Sequence, residues 1–203
     1  MSQITFSENH ESSLIAFDEG QALASLQDPR AEALKWVYSL GAFPSNHVVI
    51  VGLGSGFHVS ALADLDADVR ITVVDSRSAL VPVFRSQFPE LTDRVNILIA
   101  ENTQDLLKSD LYGDIVKDRA YVLSFRECWG TQMNLFSDFF AHLTGRAPEA
   151  VKYHFQEFEI NMKALYFKND QLLSIKDILP VVEASSISEE KKQIFRTLGE
   201  LVT

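Results

Sequence analysis

The residues best suited to chemistry lie in one short run, VVIVGLGSGFHV, where Gly52, Gly54 and Gly56 separate an apolar stretch from an amphipathic one. Small residues at such a junction let the backbone turn sharply and approach a ligand, and free N–H groups at the next helix start favour a negative group. A dinucleotide fold would place its third glycine where Phe57 stands, so the G-x-G-x-G spacing argues against NAD or FAD. Asp75 closes the run ITVVD, 23 residues after Gly52. A carboxylate there can accept both ribose hydroxyl protons of an adenosine group. Glu101 and Asn102 close the run VNILIA and would flank the same crevice, where they could bind an adenine edge. Glu101 equally suits an ordinary N-cap residue or a solvated carboxylate before Thr103, and Asn102 is expected to cap that helix in either case.

A second group of candidates lies just after the loop and just after the fourth apolar run. His58, in the first turn after the loop, could hydrogen-bond a ligand or act as acid or base; a solvated helix residue is the alternative. Arg126 and Glu127 could bind a polar substrate and Trp129 could stack on a ring, against a simple loop with a salt bridge and a hydrophobic plug. Cys128 has no activating histidine that the sequence identifies. His10, His47, His142 and His154 do not cluster, and no H-x-x-x-H or H-x-H spacing occurs, so no metal site is expected.

These residues need a sheet edge to converge on. From His47 onward the apolar runs VVIVG, ITVVD, VNILIA and AYVLSF alternate with amphipathic stretches, the rhythm of βαβ units. Runs bounded by helices in this way predict an α/β fold with a mostly parallel, doubly wound sheet covered on both faces, Rossmann-like in architecture. Before it, QITFSEN and SSLIAFDE flank a polar turn and suggest a hairpin, and Asp28 followed by Pro29 predicts a helix over Pro29 to Leu40 with Leu34, Val37 and Tyr38 at helical spacing. After it, a helix is expected over Gln132 to Thr144. A second, with Pro148 near its start and Val151, Phe155, Phe158, Met162 and Leu165 on one face, is expected next; the alternation of Val151, Tyr153 and Phe155 would allow a strand instead, but its phase breaks at Phe158. LLSIKDILPVV reads as extended, and SSISEEKKQIFRTLGELV as a capped helix with Ile194, Phe195, Leu198, Leu201 and Val202 on one face. Phe136, Phe139 and Phe140, with Phe155 and Phe158, read as core, or if exposed as a lid or dimer surface. The organisation expected is one domain, with residues 1–46 and 146–203 as extensions of a nucleotide-binding core at 47–145.

Over residues 47 to 125 the pattern resembles the class I S-adenosylmethionine-dependent methyltransferases. That resemblance implies S-adenosylmethionine as cofactor, with Gly52, Gly54 and Gly56 around its methionine part, Asp75 on the ribose and Glu101 near the adenine. Those enzymes usually carry an acidic residue two positions before the first glycine, where this chain has Ile50. A narrower resemblance covers LASLQDPRAEALKWV and VVIVGLGSGFHVSAL, which look like the N-terminal domain of the motility accessory factors linked to flagellin glycosylation. There a D-P-x-x-E-A-like helix precedes a G-x-G-x-G-[FY]-H loop, and His58 matches the loop histidine. The catalytic domain of that family, with its glycine-proline-serine motif, has no counterpart in these 203 residues. The two resemblances imply a methyltransferase-like transferase, or alternatively a non-catalytic binding or assembly module.

Composition narrows the partners. A net charge of -10 repels a phosphate backbone at long range, so nucleic acid is not expected as a partner; the small nucleoside ligand expected rests on the glycine loop and Asp75. No run of about 18 apolar residues and no signal-peptide pattern occurs, so the expected compartment is the cytoplasm with no membrane partner. The single cysteine agrees with a reducing compartment. A homodimer is compatible with the apolar helix faces.

Overall fold

The computed structural model describes residues 3–150, 175–185 and 187–201, and the chain divides into two compact units, Met1–Ala147 and Pro148–Thr203. In the first unit, β1 (Ile4–Glu8) and β2 (Leu14–Asp18) form an antiparallel hairpin to which β3 (Gln21–Ala22) adds a short third strand. α1 (Pro29–Ser39) starts as the Asp-Pro pair dictates: the Asp28 carboxylate accepts the Ala31 N–H, and Pro29 lacks a donor where none is needed. The face it buries differs from the expected one. Ala33 and Val37 are buried, while Leu34 and Tyr38 are exposed. α1 packs on α2, and the small Ala33 lets the two helices approach along that line.

The four apolar runs become β4 (His47–Val51), β5 (Arg70–Asp75), β6 (Val95–Ile99) and β7 (Tyr121–Ser124), all parallel in the order β6-β5-β4-β7. All five residues of β4 are buried, which a strand achieves only when both sheet faces are covered. The helices α2 (Phe57–Leu65), α3 (Leu80–Gln87), α4 (Thr103–Lys108), α5 (Asp110–Lys117) and α6 (Met133–Leu143) link or follow the strands. They include two packing groups, α1 with α2, and α6 with α4 and α5. The first unit is thus a mixed α/β structure with a four-stranded parallel sheet flanked by helices, and a separate antiparallel sheet beside it. Strand order reverses at β4, so the carboxyl ends of β4 and β7 bound the place where open α/β sheets form a crevice. Among the described residues, no helix is long and apolar enough to cross a membrane.

In the second unit, the helix expected over Val151 to Leu165 lies outside the described residues. The stretch expected to be extended is instead helix α7 (Ile175–Ala184). Ile175, Ile178, Leu179 and Val182 recur at three-four spacing, and this periodicity outweighs the β-branched content and Pro180, which removes one backbone hydrogen bond in the helix. α8 (Glu189–Leu201) forms where the capped helix was expected, but Ile194 and Leu198 are exposed. Among the described residues of α8, Gly199 is buried, and a Cβ there would stand 2.8 Å from Leu179 Cδ1.

Candidate functional site

The turn from β4 to α2 is built as the glycine spacing requires. Gly52, Gly54 and Gly56 all adopt positive φ, at 101°, 51° and 85°, which only glycine does without strain. The space that their missing side chains leave is filled by the protein itself. A Cβ on Gly52 would lie 2.5 Å from Cys128 Sγ; on Gly54, 2.4 Å from Cys128 Cβ and 3.0 Å from the Leu23 carbonyl; on Gly56, 2.5 Å from the Phe84 ring. The close approach that glycine permits is therefore made by the segment after β7, by the N-terminal segment and by α3. Ile50 is wholly buried in the sheet.

Asp75 stands at the end of β5 beside the loop, as its position in the sequence requires, but its carboxylate is already saturated. Oδ2 accepts the Leu53 N–H at 2.6 Å and Arg77 Nη2 at 2.8 Å. Oδ1 accepts the Arg77 backbone N–H at 2.8 Å and Arg77 Nε at 2.9 Å. This is a side-on bidentate guanidinium pair, the strongest geometry available to these groups. Arg77 is 5% exposed and also donates Nη2 to the Cys128 carbonyl at 2.9 Å, while its guanidinium lies 4.9 Å from the centre of the Phe136 ring. Burial works against its charge, but the hydrogen bonds and charge of Asp75, helped by Asp18, hold its pKa above the ordinary arginine value.

Asp18, at the end of β2, is the second carboxylate of this cluster. Its Oδ2 accepts the Thr131 N–H at 3.1 Å, the Thr131 hydroxyl at 2.9 Å and Arg77 Nη1 at 3.5 Å. Its Oδ1 is buried and has no partner among the described residues. Ser55 Oγ, in the glycine turn, accepts the Ala16 N–H at 2.9 Å, so the small antiparallel sheet is tied to the loop as well as to Arg77.

Trp129 fills the switch point. It is 1% exposed, and Nε1 donates to the carbonyl of Val51, the last residue of β4, at 2.8 Å. His58 is 2% exposed; its Nε2 donates to the Gly52 carbonyl at 3.0 Å, and its ring stacks on Phe125 at 4.7 Å. Burial lowers its pKa to about 4, against the opposing pull of the Gly52 carbonyl and Asp75, so the ring is neutral at pH 7. Cys128 Sγ lies 4.0 Å from His58 Nε2 but donates to the Phe125 carbonyl, and burial pushes its thiol pKa well up. A thiol held protonated is a poor nucleophile.

The remaining candidates stand at the rim. Asn102 caps α4, its Oδ1 accepting the Gln104 and Asp105 N–H groups at 2.9 and 3.1 Å, and Glu101 is exposed beside it. Arg126 and Glu127 are exposed, with the Arg126 guanidinium 5.7 Å from the Trp129 ring centre. An open cleft of about 350 Å³ survives between Ser76, Ser78, Glu101 and Leu135, with Arg77 in its wall. No group of three His, Cys, Asp or Glu side chains suited to a metal ion occurs among the described residues.

The structure therefore gathers Gly52, Gly54, Gly56, His58, Asp75 and Trp129 into one buried knot and leaves Glu101, Asn102, Arg126 and Glu127 outside it. Asp18 and Arg77 are the members that sequence reasoning missed, while Cys128 was considered only as a nucleophile and its packing against the glycine loop was not foreseen. Arg77, two residues after the strand-end acid, was the available signal; the pairing of Asp18 with Thr131, 113 residues away, has none. No protein-family model matches the chain, and comparison with curated proteins and with solved structures finds no match.

Proposed function

We propose that this chain is a non-catalytic binding or assembly module, built on a doubly wound Rossmann-like sheet of methyltransferase-like ancestry and akin to the N-terminal domain of the motility accessory factors. The observation that carries this reading is the engagement of Asp75. A ribose diol placed on it would have to displace Arg77 and the Leu53 N–H, leaving a buried guanidinium with only the Cys128 carbonyl and a long contact to Asp18. Removing one partner of a buried ion pair costs about 3–5 kcal/mol, a large share of the binding energy of a micromolar ligand, which is about 8 kcal/mol. The packing of Cys128 and Trp129 against Gly52 and the loop supports the same conclusion, because the methionine part of S-adenosylmethionine would need that volume.

A second reading, an S-adenosylmethionine-dependent or glycosylation-related transferase, draws support from the open cleft at Ser76, Ser78 and Glu101, on the adenine side of the expected crevice. It requires the Cys128–Trp129 segment to leave the loop when ligand enters. A cytoplasmic location and a small-molecule or protein partner rather than nucleic acid fit either reading, given one buried thiol and a net charge of -10.

A thermal-shift panel with S-adenosylmethionine, S-adenosylhomocysteine, NAD, CMP and GTP separates the two. A ligand at about 100 times its dissociation constant adds about 2.7 kcal/mol, or roughly 5–11 °C for a chain of this size. No shift with any compound is expected. A shift with the two adenosyl compounds would overturn the proposal in favour of the transferase.

A further inference from the structure

The amino edge of the parallel sheet, at the opposite end from the glycine loop, carries a recess of about 620 Å³ between the loop that leads into β4 and the loop that leads into β5. Phe43, Pro44, Leu65 and Val69 give it apolar walls, and Leu65 is 49% exposed. Asp66 and Asp68, on the same segment as Leu65 and Val69, also line it, and Asp64 precedes Leu65 on the last turn of α2; all three acids are exposed.

Acids at this place act against the fold. The carboxyl end of a helix bears partial negative charge, so carboxylates there are destabilising and cations are favoured, yet α2 has no basic residue in its last turn. Arg94 approaches from the β6 side, but its Nη2 is spent on the carbonyls of Ala63, Asp66 and Ala67, at 3.1, 3.4 and 3.2 Å. Arg70, on the adjoining wall, is ion-paired with Asp118. Arg94 thus supplies the cation that this helix end favours, but it binds backbone carbonyls, and the carboxylates of Asp64 and Asp68 keep no hydrogen bond or ion pair among the described residues, so their charge stays available beside the apolar recess.

We infer that this recess docks a basic–apolar segment of a partner protein: one large aliphatic or aromatic side chain against Phe43 and Leu65, flanked by Lys or Arg facing Asp64, Asp66 and Asp68. The chemistry excludes anionic surfaces. Phosphate backbones and acidic lipid headgroups would be repelled by the same carboxylates. The inference does not depend on how the glycine-loop crevice is read, since the two lie at opposite ends of the strands.

The test is fluorescence polarisation with a labelled synthetic peptide of two leucines flanked by lysines, titrated with the full chain in low salt. Saturable binding is expected. It should weaken about tenfold or more in the Asp64→Lys/Asp68→Lys variant, and also in Leu65→Ser, which leaves the charge unchanged. A Glu8→Lys/Glu11→Lys control, with the same change in net charge on the N-terminal hairpin, should bind as the wild type does. Absence of saturable binding, or equal weakening in the control, would overturn the inference in favour of unspecific attraction to an acidic protein. Sedimentation of the unmodified chain adds a further outcome: a dimer that Leu65→Ser dissociates would assign the recess to a second copy and overturn it too. Circular dichroism keeps the comparison fair, because every substituted side chain is at least partly exposed and the fold should be unchanged.

Discussion

Replacing Asp75 by alanine distinguishes a structural carboxylate from a ligand-binding one. Asp75 is fully buried, and its two oxygens accept four hydrogen bonds, three of them from Arg77. Truncation strips the Leu53 N–H of its acceptor and leaves Arg77 buried with only the Cys128 carbonyl and the 3.5 Å contact to Asp18. Breaking a buried ion pair from one side costs about 3–5 kcal/mol, which for a chain of this size lowers Tm by roughly 6–20 °C. Tryptophan fluorescence reports on the right unit, because both tryptophans, Trp36 and Trp129, lie within the first one. An Asp75→Asn/Arg77→Met double variant should recover part of the loss, since removing both charges leaves neither stranded. A carboxylate held free for a ribose would behave otherwise. If Asp75→Ala changes Tm by less than about 2 °C, a loss of under about 1 kcal/mol, the reasoning fails.

Three further outcomes follow from the same knot. Gly54→Ala and Gly56→Ala each add a Cβ less than 2.6 Å from a neighbouring heavy atom, at positive φ, so each should cost about 2–5 kcal/mol by urea denaturation. Gly41→Ala, also at positive φ but with nothing within 4 Å, should cost only about 1–2 kcal/mol; equal losses at all three would refute the packing argument. Because burial holds the pKa of His58 at about 4 against 6.5 when unfolded, the unfolded chain binds the extra proton between those values. Stability is then full above pH 6.5 and falls toward pH 4 by about 3 kcal/mol from this group, and His58→Gln should flatten that slope; an unchanged slope would count against the buried neutral ring. His47, lowered to about 4 by burial and then by Arg70, adds to the same window. Finally, Cys128 should react with a thiol reagent only as fast as the native protein unfolds. Stoichiometric labelling within minutes in native buffer would mean that the Cys128–Trp129 segment opens readily.

The parallel sheet was legible because each strand is a contiguous apolar run between amphipathic stretches, a signal that needs no knowledge of partners. Asp28-Pro29 likewise announced α1 through purely local chemistry. The buried face of α1 was not legible, since Leu34 and Ala33 are neighbours in sequence and only the approach of α2 decides between them. α7 stands where an extended segment was expected: Pro180 and the β-branched residues disfavour a helix locally, and only the three-four spacing of Ile175, Ile178, Leu179 and Val182 signals it. At the site, the positions of Gly52 and Asp75 followed from the strand ends. What occupies them did not: Trp129 reaches the end of β4 from 78 residues away and Asp18 reaches Arg77 from 59, and no local pattern encodes such pairings. A strand-end carboxylate looks the same in sequence whether it meets a ribose or Arg77.

The most direct measurement is a titration of isotope-labelled protein with S-adenosylmethionine, followed through the backbone amide signals of Gly52, Leu53, Gly54 and Gly56 and the indole N–H of Trp129. A crevice filled by the protein's own side chains leaves all five unmoved up to millimolar ligand. Saturable shifts of the glycine-loop amides, accompanied by movement of the Trp129 indole, would contradict the account by showing that the plug gives way to a cofactor.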